Sequence, residues 1–250
     1  MDEAAPPTFR QSPDIIRDFV FPLAVAEGRG IERPVKRILG TAFLIGDRGF
    51  ALTARHVFSG CDNDPVIGVF LTPAGDMVGV DIASKELHPT EDVAIVKLGG
   101  EGWKSFFRLI NSYENSSCKY SLWAYPDDTY YEVVADNMAI LRPDLVYNEG
   151  YVRRRISREI PSLSGTSFFE LSQVAGDGAS GSPVVRTTRS LFVVANPAWD
   201  VIGIYVGQRT NDRATSVSYA VRADAFWAWV PEILGKSVLE ESQQIGPFGR

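Results

Sequence analysis

Short apolar, β-branched runs separated by Gly, Pro, Asn and Asp recur along most of the chain. A first series comprises Phe19–Ala26, Val35–Ile45, Phe50–Thr53, Pro65–Leu71, Met77–Ile82 and Asp92–Leu98. A second comprises Lys119–Ala124, Val133–Leu141, Ser167–Leu171, Ser182–Val185, Leu191–Ala195, Asp200–Val206 and Ser216–Val221. Runs this short, bounded by turn residues, predict the strands of an all-β sandwich or barrel. Between the series, Gly99, Gly100, Gly102, Asn111 and Asn115 mark a connection between two β units of similar size. The expected division is a flexible lead-in over 1–14, one β unit over 15–105, a second over 106–234 and a polar, mobile tail over 235–250. Helix signals are few. One is a single turn around Thr53–Phe58. The other runs from a candidate N-cap, Asp224, to Leu234, where Phe226, Trp227, Val230, Ile233 and Leu234 recur at helical spacing and predict a face packed on the body.

Bulk properties narrow the function class. The 250 residues are 45% apolar, enough for a sizeable core. A net charge of −6 weighs against nucleic acid, for which a basic surface supplies most of the affinity. Arg153, Arg154, Arg155 and Arg158 read as an exposed charged strand or loop, with contact to an acidic partner as the alternative. Cys61 and Cys118 are too few for a disulfide scaffold and read as reduced thiols. Residues 1–7 lack a basic segment followed by an apolar run, and no apolar stretch is long enough to span a bilayer. A soluble cytoplasmic protein without membrane contact is expected.

Three segments carry candidate chemistry. In Gly176-Asp177-Gly178-Ala179-Ser180-Gly181-Ser182-Pro183, a serine sits on a Gly-rich turn leading into an apolar strand. An acyl-transfer nucleophile needs an exposed hydroxyl on such a turn, with backbone N–H groups, here those of Gly178 and Ser180, aimed where an oxyanion develops. On its own the turn would be only a turn. His56 follows the strand Phe50–Thr53, at the rim of a sheet where an imidazole can relay a proton. Asp92 opens the apolar run Val93–Val96, and a carboxylate drawn inward there needs a partner such as a histidine N–H. The alternatives are a surface histidine and a solvated strand-start aspartate. His88, Ser162, Ser164 and Ser182 are weaker competitors, and two histidines without a carboxylate or thiol cluster predict no metal site. No cofactor is expected.

Taken together, the order His, Asp, Ser and the phrases Leu52-Thr53-Ala54-Arg55-His56, Asp92-Val93-Ala94-Ile95-Val96-Lys97-Leu98 and Gly178-Ala179-Ser180-Gly181-Ser182-Pro183 resemble the trypsin-like (chymotrypsin-fold) serine peptidases. The motif style is similar to the bacterial HtrA/Deg branch, without room for a PDZ domain. The resemblance implies two six-stranded antiparallel β-barrels with a C-terminal helix. It also implies a protein or peptide substrate, with His56, Asp92 and Ser180 as catalytic residues and the Gly178 and Ser180 N–H groups as oxyanion hole. By the same resemblance, Val174, six residues before the serine, would floor the specificity pocket. Tyr205, Val206, Gly207 and Val217 would wall it, giving a preference for small or medium apolar residues. Ala179 departs from the acidic residue that many secreted relatives carry there, so pairing with a freed N-terminus is not expected. Should the purified chain prove inactive, the expected cause is a disordered loop around Asp177–Ala179, waiting for substrate or an activating protein partner. Two other readings stay open: a catalytically silent binding module on the same fold, and an esterase using the same residues.

Overall fold

The computed structural model describes residues 16–27, 34–61, 64–71, 76–110, 117–127, 131–135, 138–187, 199–210 and 216–244. The lead-in at 1–14, the run Leu191–Ala195 and the end of the tail lie outside the described residues.

Six strands form the first barrel: β1 (Val20–Ala26), β2 (Val35–Ile45), β3 (Phe50–Thr53), β4 (Val66–Leu71), β5 (Met77–Leu87) and β6 (Ala94–Leu98). They close in the order β1-β2-β3-β6-β5-β4, all antiparallel. β1 is buried along its whole length, which accounts for its continuous apolar sequence. Tyr125 Oη, from the second half of the chain, donates to the Val20 carbonyl at 3.2 Å.

The second half contributes β7 (Phe107–Leu109), β8 (Lys119–Ala124), β9 (Tyr131–Ala135), β10 (Met138–Arg142), β11 (Val146–Ser157), β12 (Ser167–Leu171), β13 (Pro183–Arg186), β14 (Trp199–Thr210) and β15 (Ser216–Arg222). β13-β8-β11-β12-β15-β14 form the second six-stranded antiparallel barrel, closed by pairing of β13 with β14. β7 adds to β14 in parallel, and β9 and β10 form a separate hairpin. Tyr120, Leu122, Val152, Phe169, Ile202 and Tyr205 fill the interior of this barrel, whereas Phe168, Val206 and Val221 join the apolar cluster shared with the first barrel.

Three expectations are corrected. Val133–Leu141 is a two-strand hairpin. The segment from Asp224 to Leu234 is not a helix but a 3₁₀ turn at Ala223–Ala225 followed by further turns. Its Trp227 and Trp229 carbonyls accept from the N–H groups of Leu239 and Val238 as the chain folds back. The C-terminal helix, α1, lies later at Val238–Ser242, in the stretch expected to be mobile. Ser237 caps it through a reciprocal box with Glu240. Glu241, fully buried, receives Arg48 at 2.6 Å and Lys236 at 2.7 Å, pinning α1 to the β2–β3 turn. No helix among the described residues is long and apolar enough to cross a membrane.

Candidate active site

One strand pairing places the first two residues. β3 and β6 are antiparallel neighbours whose last register pair is Thr53 with Ala94. The chain leaving β3 and the chain entering β6 therefore meet at the same rim. A 3₁₀ turn, Arg55–Phe58, follows β3 and is anchored by buried Val57 and Phe58, presenting His56 at the surface. Asp92, 3% exposed, lies two residues before β6. Its Oδ2 lies 2.7 Å from His56 Nδ1, and its Oδ1 accepts the His56 backbone N–H at 2.9 Å. A buried carboxylate is tolerated when its oxygens are satisfied in this way. Its acceptors hold Nδ1 as the protonated ring nitrogen and leave Nε2 able to take a proton.

Neighbouring groups fix this rim. Arg55 Nη1 donates to the His88 carbonyl at 3.2 Å. His88 Nδ1 accepts the Glu91 N–H at 3.0 Å and the Thr90 N–H at 3.3 Å, and the ring meets Trp229 edge-on at 4.9 Å. Burial, with Arg55 nearby, lowers the pKa of His88 below the ordinary histidine value. His88 is thus a structural group of the turn that carries Asp92.

Ser180 is held quite differently. The Thr41 N–H donates to the Ser180 carbonyl at 2.8 Å, and Thr41 Oγ1 donates to the Gly178 carbonyl at 3.0 Å while accepting the Tyr125 N–H at 3.0 Å. The Thr41 carbonyl accepts from Thr53 Oγ1 at 2.7 Å, linking this hub to the strand that precedes His56. From the second barrel, Gly181 N–H donates to the Tyr205 carbonyl at 2.7 Å and the Asp127 N–H to the Asp177 carbonyl at 2.9 Å. Because a trans peptide sets C=O and N–H on opposite sides, anchoring the Asp177 carbonyl on Asp127 turns the Gly178 N–H away from it. Neither the Gly178 nor the Ser180 N–H has a partner among the described residues. Two glycines are obligatory here. Gly178 has φ +82°, and a Cβ on it would lie 2.7 Å from both the Asp127 nitrogen and the Tyr125 carbonyl. Gly181 has φ +96°, and a Cβ there would overlap the Thr41 carbonyl and the Thr53 hydroxyl. Asp177–Ala179 is therefore a defined, multiply bonded turn rather than a disordered one. No hydrogen bond joins Ser180 Oγ to His56 among the described contacts, a link often long in resting triads.

The residues expected to form the specificity pocket separate into two groups. Val206 and Val217 lie together in the cluster between the barrels, with Val217 half-buried. Gly207 follows a bulge at φ +139°. The Val174 carbonyl accepts from Asn148 Nδ2 at 3.1 Å. Tyr205 is a correction. It is 1% exposed inside the second barrel, and its hydroxyl accepts the Ala175 N–H at 3.2 Å, so its side chain does not line the expected pocket. The side chains follow strand alternation, which puts Tyr205 inside and Val206 outside. Ser182 is fully buried and inaccessible to a peptide, and both cysteines are free. Ala179 is fully buried in the second core. Among the described residues no cluster of three His, Cys, Asp or Glu could hold a metal ion. Thr41, Tyr125 and Asp127 escaped the sequence reading; the available signal was a lone polar Thr41 inside the apolar run around Ala42–Ile45.

Beyond its own geometry, the chain matches the model for the trypsin-like peptidase domain over residues 40–195. A comparison with curated protein sequences finds no match. Among solved structures, the MamO protease domain from Magnetospirillum magneticum superposes with a TM-score of 0.55 at 13% identity, covering 84% of this chain and 94% of that one. The HtrA-type protease AlgW, solved with a decapeptide, superposes with a TM-score of 0.55 at 15% identity, covering 84% of this chain and 62% of that one. An AlgW structure with a tripeptide gives the same score and identity, and this chain spans 57% of its length. These low identities concern the fold alone, but the family match covers more than half of the sequence, and the chain is a member of the trypsin-like peptidase domain family.

Proposed function

We propose that the chain is a serine endopeptidase in which Ser180 is the nucleophile, His56 the general base and acid, and Asp92 the group that orients it. The carrying observation is the Asp92 carboxylate, which is buried and spends both oxygens on His56. In this reading His56 Nε2 takes the Ser180 proton as Oγ bonds to the scissile carbonyl carbon. The oxygen of the tetrahedral intermediate accepts from the Gly178 and Ser180 N–H groups. Imidazolium, stabilised by Asp92, then protonates the departing amine as the C–N bond breaks. Water repeats the cycle on the acyl-enzyme and frees Ser180.

A peptide is the substrate class that β14 supports. β13 pairs with β14 only as far as Ile204, and the Tyr205 backbone bonds to Gly181 and Ser182. From Val206 to Thr210, β14 pairs, among the described residues, only with β15, which leaves its other edge open beside the serine loop. An extended peptide can add to such an edge as a strand. The similar AlgW structures were solved with a tripeptide and with a decapeptide, in keeping with a peptide ligand. The missing Ser180–His56 hydrogen bond favours a second reading, a silent peptide-binding module. Labelling by a fluorophosphonate probe separates them: the intact chain should label and Ser180→Ala should not. Absence of labelling in both would leave the silent module. Casein digestion beside nitrophenyl-ester hydrolysis distinguishes a peptidase from an esterase.

A further inference from the structure

A basic cavity of about 290 Å³ lies on the outer face of the second barrel, lined by Arg154, Ile156, Arg158, Arg209, Tyr219 and the turn 159–161. The chain as a whole carries a net charge of −6. This patch runs against that balance. Arg153 and Arg154 share one carboxylate, Glu170, at 3.2 and 2.6 Å. Arg158 and Arg209 are exposed and make no ion pair among the described residues, and Glu159 is the one acidic residue of the lining. The cavity therefore holds more guanidinium than carboxylate, and Tyr219, paired with Gly207, forms an apolar wall.

Its position ties it to the substrate edge. Arg209 lies two residues beyond Gly207 on the stretch of β14 whose outer edge is open, and it pairs with Val217. The same 159–161 turn also borders a second cavity that reaches Thr90, two residues before Asp92. A peptide adding antiparallel to β14 would run from Arg209 towards Tyr205, ending at the serine loop. With the residue before the cleaved bond opposite Tyr205, side chains roughly three to five positions further upstream would lie near the arginines.

Resting on the peptidase reading above, we propose that this cavity selects acidic side chains in the segment N-terminal to the cleaved bond. Guanidinium groups favour carboxylates through paired, charge-assisted donors. Arg158 and Arg209 are the specificity-determining residues. Because they are exposed, the attraction is screened and the preference is moderate and dependent on salt.

The test measures binding by fluorescence anisotropy on the full chain carrying Ser180→Ala, so that no turnover is needed. The probes are two labelled hexapeptides, Glu-Glu-Glu-Ala-Val-Ala and Gln-Gln-Gln-Ala-Val-Ala. The acidic peptide should bind about tenfold more tightly at low salt, with the advantage shrinking as salt rises. Adding Arg158→Gln and Arg209→Gln should bring the two peptides to parity. Equal binding, binding of neither peptide, or a preference that survives both substitutions overturns the proposal. A preserved acidic preference in a chain that no fluorophosphonate labels would keep this site and sink only the peptidase reading.

Discussion

The first barrel brings His56 and Asp92 together through a single register, β3 on β6, and two hydrogen bonds. Ser180, on the second barrel, is held through contacts from four separate places: Thr41, Tyr125, Asp127 and Tyr205. The base is therefore a local product of two strands that already belong to one closed core. The serine loop is a product of assembly, shaped only when both barrels and the chain between them are in place. Thr41 is where the two meet, since it belongs to the first barrel and bonds both sides of the Gly178–Ser180 turn.

Chemistry should not respect that division. If the three residues act as one unit, Ser180→Ala and His56→Ala should each reduce turnover of a peptide by about 10⁶-fold, with little effect on folding. Asp92→Asn should cost about 10⁴-fold, because it favours the wrong tautomer of His56. Comparable kcat values for Asp92→Asn and the unaltered chain would separate the carboxylate from the reaction.

Stability offers a second way to probe the comparison, because the first barrel has one long-range dependence of its own. Glu241 in α1 is fully buried against Arg48 and Lys236. Glu241→Ala removes the buried partner of two half-solvated cations, and should lower the unfolding free energy by about 1–2 kcal/mol in urea titrations. A loss under 0.5 kcal/mol, roughly the scale of surface substitutions, would mean that α1 is a passive strap.

Thr41→Val is the sharper test of the serine side. It keeps the shape of the side chain but leaves the Tyr125 N–H and the Gly178 carbonyl without their partner, each buried unsatisfied group costing about 1–3 kcal/mol. Turnover should fall about 10²-fold through kcat, as for loss of an oxyanion donor, while the distance from His56 to Asp92 is untouched. Thr41→Ser should restore most of the rate. If Thr41→Val instead raised KM and left kcat alone, the hub would position peptide rather than the oxyanion turn.

This asymmetry also explains what could be read in advance. His56 and Asp92 sit at the ends of strongly patterned strands, but it was the resemblance of their phrases to those of the trypsin-like peptidases that joined them in one site. The serine turn was recognisable from its glycines, but the residues that hold it come from positions 41, 125, 127 and 205, and pattern carries no information about such pairings. β11 was read only as an exposed charged strand or loop because Arg153, Arg154 and Arg155 interrupt the alternation; there Arg154 pairs with Glu170 across the sheet instead of facing a core. The aromatic spacing from Phe226 to Leu234 imitates a helix face. The segment is instead fixed by separate contacts, Trp229 on His88 and Phe226 in the shared core, with Pro231 following them before a turn at 232–234. Tyr205 was placed in the pocket wall by the family resemblance, which did not fix the alternation that turns Tyr205 into the second core and Val206 out of it.

The smallest expected effect concerns the turn that carries Asp92, where the first barrel's local construction has a titratable weak point. His88 Nδ1 accepts two backbone N–H groups, which only the neutral ring can do. Burial and, to a lesser degree, Arg55 disfavour the charged ring, so its folded pKa lies below its unfolded value of 6.5. The unfolded chain then binds more protons as the pH drops, and the contribution of His88 to stability, fully present above pH 6.5, declines as the pH falls through the folded pKa. His88→Asn keeps an acceptor near the same place without a titrating group. It should flatten the part of the stability–pH profile between neutrality and the carboxylate range, measured by urea unfolding at fixed temperature. It should also leave activity above pH 7 nearly unchanged. The same acid-side decline in His88→Asn as in the unaltered chain would assign it to other groups, and would remove His88 from the account of how Asp92 is held.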